Sequence, residues 1–355
     1  MGNKAKEIII PEKGVLRIIF LYVGQGDSTL LVVPSEEEHK FVLVDSNQDD
    51  SLGGINIVKL LKDLFKDEDR KLDVYINTHP HKDHLTGIKD IYNEVGIEQL
   101  WHSGHKPGGE HKEVYKELEY VMKELGEQNV FRLRGSREEN KLDEEKIKLG
   151  DIDYNVLAPA DYVSEEIEDE KPEERYKRIH EQCGVIRFKY GKREKQILIT
   201  GDADYNAWTV HITEYHKDRL ESYVLSAAHH GSNSFFWKGD PEDEEPYLEH
   251  LNKINPMHII VSAPKSKESK HGHPDKEAMD LYIKKVSEDK VHHLGKKREC
   301  IIVDITEDGD IDLYPDDELV KEYCLSNSKT ENDEEKKIYT GVTTKIDNKP
   351  MGIRK

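Results

Sequence analysis

Cysteine is scarce in this chain: three residues in 355, at positions 183, 300 and 324, with no Cys-x-x-Cys pair. Neither a disulfide framework nor a thiolate zinc site follows from that spacing, and a reducing cytoplasm is the expected setting. Long apolar runs are missing too, and none approaches the roughly 18 residues that a membrane span requires. The opening stretch Met1-Gly-Asn-Lys-Ala-Lys-Glu has no secretory apolar region and is expected to run into a short strand, while Lys6 stands where a myristoylation signal would carry Ser or Thr. Positive charge is in deficit: 53 Lys and Arg face 73 Asp and Glu, a net charge of -20. A field of that sign repels long polyanions, so any nucleic-acid contact must come from local basic patches or from a partner protein. The candidate patches are Arg132, Arg134 and Arg137, the segment Arg187 to Lys195, Lys265 to Lys270, and Lys296-Lys-Arg298, each of which also reads as an ordinary solvated face.

What the chain does have is histidine, 18 in all, and one dense cluster of it. His79-Pro-His81-Lys-Asp83-His84 follows the apolar run Leu72-Asp-Val-Tyr-Ile76, which reads as a buried strand. Imidazole suits zinc and neighbouring transition metals, and a carboxylate adds charge and a harder donor. At a strand end His79 and His81 point the same way, because side chains alternate with period two. Asp83 and His84 are adjacent, so they serve a second ion only if the chain turns there, and a helix expected from about Leu85 to Glu94 allows that turn. The stretch has the content of half a two-metal site.

Around it the pattern is that of a layered α/β protein. Strands are expected at Val15 to Val23, Thr29 to Val33 and Phe41 to Val44, then a helix from Ile55 to Phe65 and a strand at Gln99 to Trp101. Lys112 to Gly126 reads as an amphipathic helix, and Val130 to Leu133 and Ile152 to Leu157 as strands. Val163 to Arg178 is dominated by charge and contains Pro172, so it reads as an exposed insertion or loop, spanning about 161–178. The strand Gln196 to Thr200 then delivers Asp202 as Val44 delivers Asp45. A helix from Tyr205 to Leu220 and the strand Tyr223 to Ala228 lead to His229-His230-Gly-Ser-Asn233. The strand Ile259 to Val261, a helix from Pro274 to Val286, and the strands Ile301 to Ile305 and Ile311 to Tyr314 complete one domain over 1–320. Residues 321–355 lose periodicity and read as an appendage.

The strand ends supply the missing donors. Asp202 can bridge two cations about 3.5–4 Å apart through its two oxygens. One of His229 and His230 can close a second ion's shell, leaving the other to meet substrate. A third imidazole for the first ion comes from His180, with His102 and His105 as rivals. Taken singly, Asp202 or His229 reads more readily as a turn former or a satisfied surface residue, and together with the six-residue motif they read as ligands.

Gly24-Gln-Gly26-Asp27-Ser28, Val44-Asp45, Thr78-His-Pro-His-Lys-Asp-His84, Thr200-Gly-Asp202, His229-His-Gly-Ser232 and Gly272-His-Pro274 occur in an order that resembles a metallo-β-lactamase-fold hydrolase over Val15 to about Tyr314. The likeness is to the branch of the ComEC-type competence proteins, whose soluble domain is considered a nuclease. It implies an αββα sandwich of two mixed sheets flanked by helices. One metal would lie on His79, His81 and His180, a second on Asp83, His84 and His229 or His230, with Asp202 shared. Asp45 and Asp27 would support the ligands from behind. The chain departs from those proteins in lacking their many membrane spans and in carrying a complete first histidine cluster, which favours two divalent ions, zinc or manganese, over one.

The chemistry expected is hydrolysis by a metal-bridging hydroxide, with Asp83 or Asp202 taking the proton and His230 at the reacting centre, while Ser232, Asn233, Lys265 and His273 contact a phosphate. Three functions fit: a phosphodiesterase or nuclease acting on a nucleic acid or nucleotide, a small-molecule hydrolase of the phosphorylcholine esterase or lactonase type, and a metal-bearing subunit that works with a partner protein without catalysis. No membrane partner is expected.

Overall fold

A computed structural model describes residues 3–324 of the chain except 49, 67, 108–111 and 143–144. The strands follow the apolar runs. β1 (Val15–Phe20), β2 (Thr29–Val33), β3 (Lys40–Val44), β4 (Leu72–Asn77), β5 (Ile97–His102) and β6 (Val130–Arg132) come first, then a small ribbon of β7 (Lys141–Leu142) and β8 (Glu145–Lys146). The second half gives β9 (Asp153–Ala158), β10 (Val185–Tyr190), β11 (Lys195–Ile199), β12 (Val224–Ser226), β13 (His258–Val261) and β14 (Val291–His293), and the chain returns with β15 (Cys300–Thr306) and β16 (Ile311–Asp316).

These strands build two mixed sheets, in the orders β16-β15-β1-β2-β3-β4-β5-β6 and β14-β13-β12-β11-β10-β9. In each sheet an antiparallel part gives way to a parallel part: β3 pairs parallel with β4, and β11 with β12. The central strands are apolar on both faces, as β2 and β3 show, because each sheet packs against its partner on one side and helices on the other. The helix Ile57–Leu64, capped by the Asn56 side chain, buries Ile57, Leu60, Leu61 and Leu64 against the first sheet. A second core, around Trp208, Phe235, Phe236 and Tyr282, lies beyond the other sheet. The αββα class expected from the sequence is the one observed.

Several local expectations need correcting. Lys4–Ile9 is a helix rather than a short strand, with the Asn3 side chain accepting from the Lys6 N–H. Segment 163–178 is not a loop: it forms the helices Asp161–Asp169 and Pro172–Lys177, and Val163 and Ile167 are buried. Its apolar residues stand four apart on one face, so a charged sequence can still dock a helix. The helix expected over 85–94 is two pieces, Lys82–Leu85 and Ile88–Glu94, broken at Gly87 with φ +93°. In place of one helix over 205–220 there is a π-helical turn, Ala207–Ile212, and a short helix, Thr213–Tyr215. At the far end the helix Glu318–Tyr323 buries Leu319 and Tyr323 in the first core. The rest of the expected appendage, from 325 on, lies outside the described residues.

Candidate metal centre

The parallel ends of both sheets meet at one place. β4 stops at Asn77, and His81, in extended conformation, is the N-cap of the short helix Lys82–Leu85, which carries Asp83 and His84. The loop before β2 is pressed against this helix: the Asp27 N–H donates to the Asp83 carbonyl at 3.2 Å. Gly26 makes that approach possible, since at φ +123° a Cβ there would sit 2.2 Å from the same carbonyl oxygen. From the second sheet, β11 runs into Gly201 and Asp202, and β12 into His229 and His230, two successive residues in the left-handed region at φ 50° and 56°.

Two groups of donor atoms result, each with all members within 4.8 Å of one another: His79, His81, His180 and Asp202, and Asp27, His84, Asp202 and His230. Asp202, buried to 1% exposure, belongs to both. Its Oδ2 lies 3.4 Å from His79 Nε2 and 3.7 Å from His180 Nε2, and its Oδ1 lies 3.1 Å from His84 Nε2 and 3.6 Å from His230 Nε2. Tetrahedral ligation with bonds of about 2.0–2.1 Å separates neighbouring donors by about 3.4 Å, the spacing seen here.

Hydrogen bonding shows which ring atoms remain to act as donors. His84 Nδ1 lies 2.8 Å from the Asp45 carboxylate and His230 Nδ1 lies 2.9 Å from the Ser262 carbonyl, two acceptors that require N–H on that side of each ring. Their Nε2 atoms face each other at 3.2 Å, so any lone pairs on them would converge. Two imidazole nitrogens approach this closely in a dry interior when a proton or a metal cation is shared there, and Asp202 Oδ1, 3.1 Å from His84 Nε2, faces the same point. His79 Nε2 and Asp202 Oδ1 are likewise buried without a hydrogen-bond partner. The residues fit two divalent ions.

Protonation tells the same story. Burial opposes charge on His84 and His230, but Asp202 with Asp45 outweighs it for the first and Asp202 with Asp27 for the second, so both are held well above the ordinary histidine value. That half of the site demands positive charge. On the other half burial, reinforced by neighbouring imidazoles, keeps His180 well below that value and His229 at about 4, so both offer lone pairs at neutral pH. For Asp202 and Asp83 burial works against ionisation and the facing histidines prevail, holding both well below the usual carboxylate range.

Of the residues expected here, His79, His81, His180, Asp202, His84 and His230 converge. His102 and His105 do not join either group: His102 Nδ1 accepts from the Gly104 N–H, and His105 Nδ1 donates to Gln182. His229 stands just outside, its Nε2 3.6 Å from Asp202 Oδ2 and its Nδ1 bonded to Ser234 Oγ at 2.8 Å. Asp83 faces His230 Nε2 at 3.5 Å, whereas Asp27, expected as a support, is a member of the second donor group and lies 3.6 Å from His230 Nδ1. Asp45 does sit behind the site: it accepts from the Thr78 N–H and hydroxyl as well as from His84.

Ser232 and Asn233 are engaged in hydrogen bonds to backbone N–H groups. Ser232 Oγ accepts from the Ser234 N–H, and Asn233 Oδ1 accepts from the Ala278 N–H in the first turn of the helix Lys276–Val286. His273 is at the rim, its ring 5.2 Å from that of His229, and Lys265 is exposed. Sequence reading overlooked Ser234, the Ser262 carbonyl and Cys183, whose Sγ accepts from the Asp202 N–H at 3.3 Å. None carries a spacing signal, because each acts through a contact made only in the fold.

Residues 21–254 match the metallo-beta-lactamase superfamily, and the chain belongs to that superfamily, a class of metal-dependent hydrolases. Solved structures of similar fold include YhfI of Bacillus subtilis, a metallo-beta-lactamase fold protein, at 12% identity and a TM-score of 0.41, covering 84% of this chain and 100% of that one. Another is Igni18, a metallo hydrolase of the hyperthermophilic archaeon Ignicoccus hospitalis, at 12% identity and a TM-score of 0.46, covering 84% and 98%. No curated protein sequence matches the chain. Among the described residues no helix is long and apolar enough to cross a membrane.

Proposed function

We propose that this chain is a phosphodiesterase of the nuclease type working with two divalent ions. The observation that carries the reading is the pair of donor groups sharing Asp202; the phosphodiester class rests on the ordered motifs that resemble ComEC-type proteins. Ions held there would supply a water of lowered pKa and polarise the phosphoryl oxygens. The chain's own groups do the rest. Asp83 is the site carboxylate most open to solvent, with 23% side-chain exposure against 11% for Asp27 and 2% for Asp202, and it is ionised, so it accepts the proton of the attacking water. His229, held by Ser234 and half-buried beside His273, meets the leaving group in this reading.

Incubation with Mn²⁺ or Zn²⁺ and bis-p-nitrophenyl phosphate should release p-nitrophenol, and His81→Ala should abolish release. Turnover of a lactone or a phosphorylcholine ester with none of the phosphodiester would instead assign a small-molecule hydrolase, a class the net charge of -20 suits. Two bound metals per chain without turnover of any of these would point to a subunit acting with a partner protein.

A further inference from the structure

A cavity of about 250 Å³ opens beside the first donor group, where the end of β5 and the start of the following loop face the helices Asp161–Asp169 and Pro172–Lys177. Arg175 and Gln182 line the cavity; Tyr176, next to the first, holds its ring 6.2 Å from that of His81, and His180, two residues before the second, is a donor of the first group. In a chain with 20 more acidic than basic groups, four cations, Lys106, Arg132, Arg134 and Arg175, line this one space. Asp161, Glu165 and Glu168 reach it too, but all three are exposed, and Asp161 lies 3.8 Å from Arg134. Among the described residues Lys106, Arg132 and Arg175 have no carboxylate within ion-pair distance. Arg175 Nε is moreover buried with no acceptor among the described residues, an unfavourable state that a bound anion would relieve.

We infer that this cavity is a phosphate subsite, which holds a second phosphate of the substrate while the ester to be cleaved lies at Asp202. Guanidinium groups present paired N–H donors that match phosphate oxygens, and a fixed pair of them gives direction as well as charge. The inference rests on the phosphodiesterase reading and narrows it: the substrate carries at least two phosphates, as an oligonucleotide with a 5′-phosphate does. The subsite also explains how so acidic a chain holds a polyanion, by concentrating cations at one recess instead of spreading them over a face.

Two measurements test it. A thymidine dinucleotide bearing a 5′-phosphate should show a KM about tenfold below that of the same dinucleotide without it. Arg132→Ala combined with Arg175→Ala should erase that difference while leaving kcat/KM on bis-p-nitrophenyl phosphate unchanged. Inorganic phosphate titrated calorimetrically into the full chain should bind at a site that this double variant loses and His81→Ala keeps. The Gln pair at the same positions, which keeps most of each stem, replaces the Ala pair if the latter fails to fold. Phosphate binding and a KM ratio both indifferent to the arginines would overturn the subsite. Retained arginine-dependent phosphate binding without cleavage of either dinucleotide would leave the subsite standing and remove the phosphodiesterase reading.

Discussion

The carboxylate of Asp45 stands 2.8 Å from His84 Nδ1 and in the same position accepts the Thr78 N–H and hydroxyl, so one strand-end residue fixes both ends of the histidine loop. Asp45→Asn isolates that role, because Asn tolerates the left-handed φ of 57° found there. The expected outcome is a loss of about 10–100-fold in metal affinity with the fold intact, read by competition against a chromogenic chelator. Unchanged affinity would show that the His84 ring is oriented without Asp45.

Gly26→Ala should be harmful for a reason unrelated to its own burial. The added Cβ meets the backbone of Asp83, which cannot rotate away, and φ +123° is closed to alanine. A loss of at least about 2 kcal/mol is expected, with Asp27 displaced from the second donor group. Denaturant midpoints and metal stoichiometry test this together: the variant should bind fewer ions per chain than the parent.

Stability should fall as the medium is acidified through the histidine range. His250 is buried against Phe235, with Nε2 donating to its carbonyl at 2.9 Å, and burial pushes its pKa down to about 3; His216 is pushed down to about 4 in the same way. Below about 6.5 the unfolded chain binds protons that the native state refuses, so each group removes up to about 1.4 kcal/mol per pH unit until its native pKa is reached. Urea midpoints at pH 7.5 and 5.0 should differ accordingly, and His250→Phe should reduce the slope. A slope that His250→Phe leaves unaltered would rule this residue out as the source.

Chelation should lower the melting temperature. Ions that bind only the native state stabilise it by mass action, by about 2.7 kcal/mol at a hundred times the dissociation constant for one site. Scanning calorimetry before and after EDTA, with Mn²⁺ or Zn²⁺ restored afterwards, measures the effect and its reversal.

Much of this arrangement could be read from the sequence because apolar strands announce themselves and deliver their donors at their ends: Val44 precedes Asp45, and Ile199 lies three residues before Asp202. The ligand motif at 79–84 was legible for the same reason. What escaped were decisions made by tertiary contact. Asp27 follows a glycine turn whose target, the Asp83 carbonyl, is far along the chain. The choice within the 229–230 doublet depends on two successive left-handed residues, a backbone state that no local pattern signals. The helices over 161–177 were hidden by charge, since only Val163 and Ile167 in the first of them are buried.

The shared carboxylate of Asp202 belongs to one sheet, and the histidines at 79, 81 and 84 belong to the other. Whatever cations sit between them act as rivets through the seam of the molecule. The two halves cannot slide past each other without shearing a coordination bond, so loading the centre and locking the sandwich are a single event.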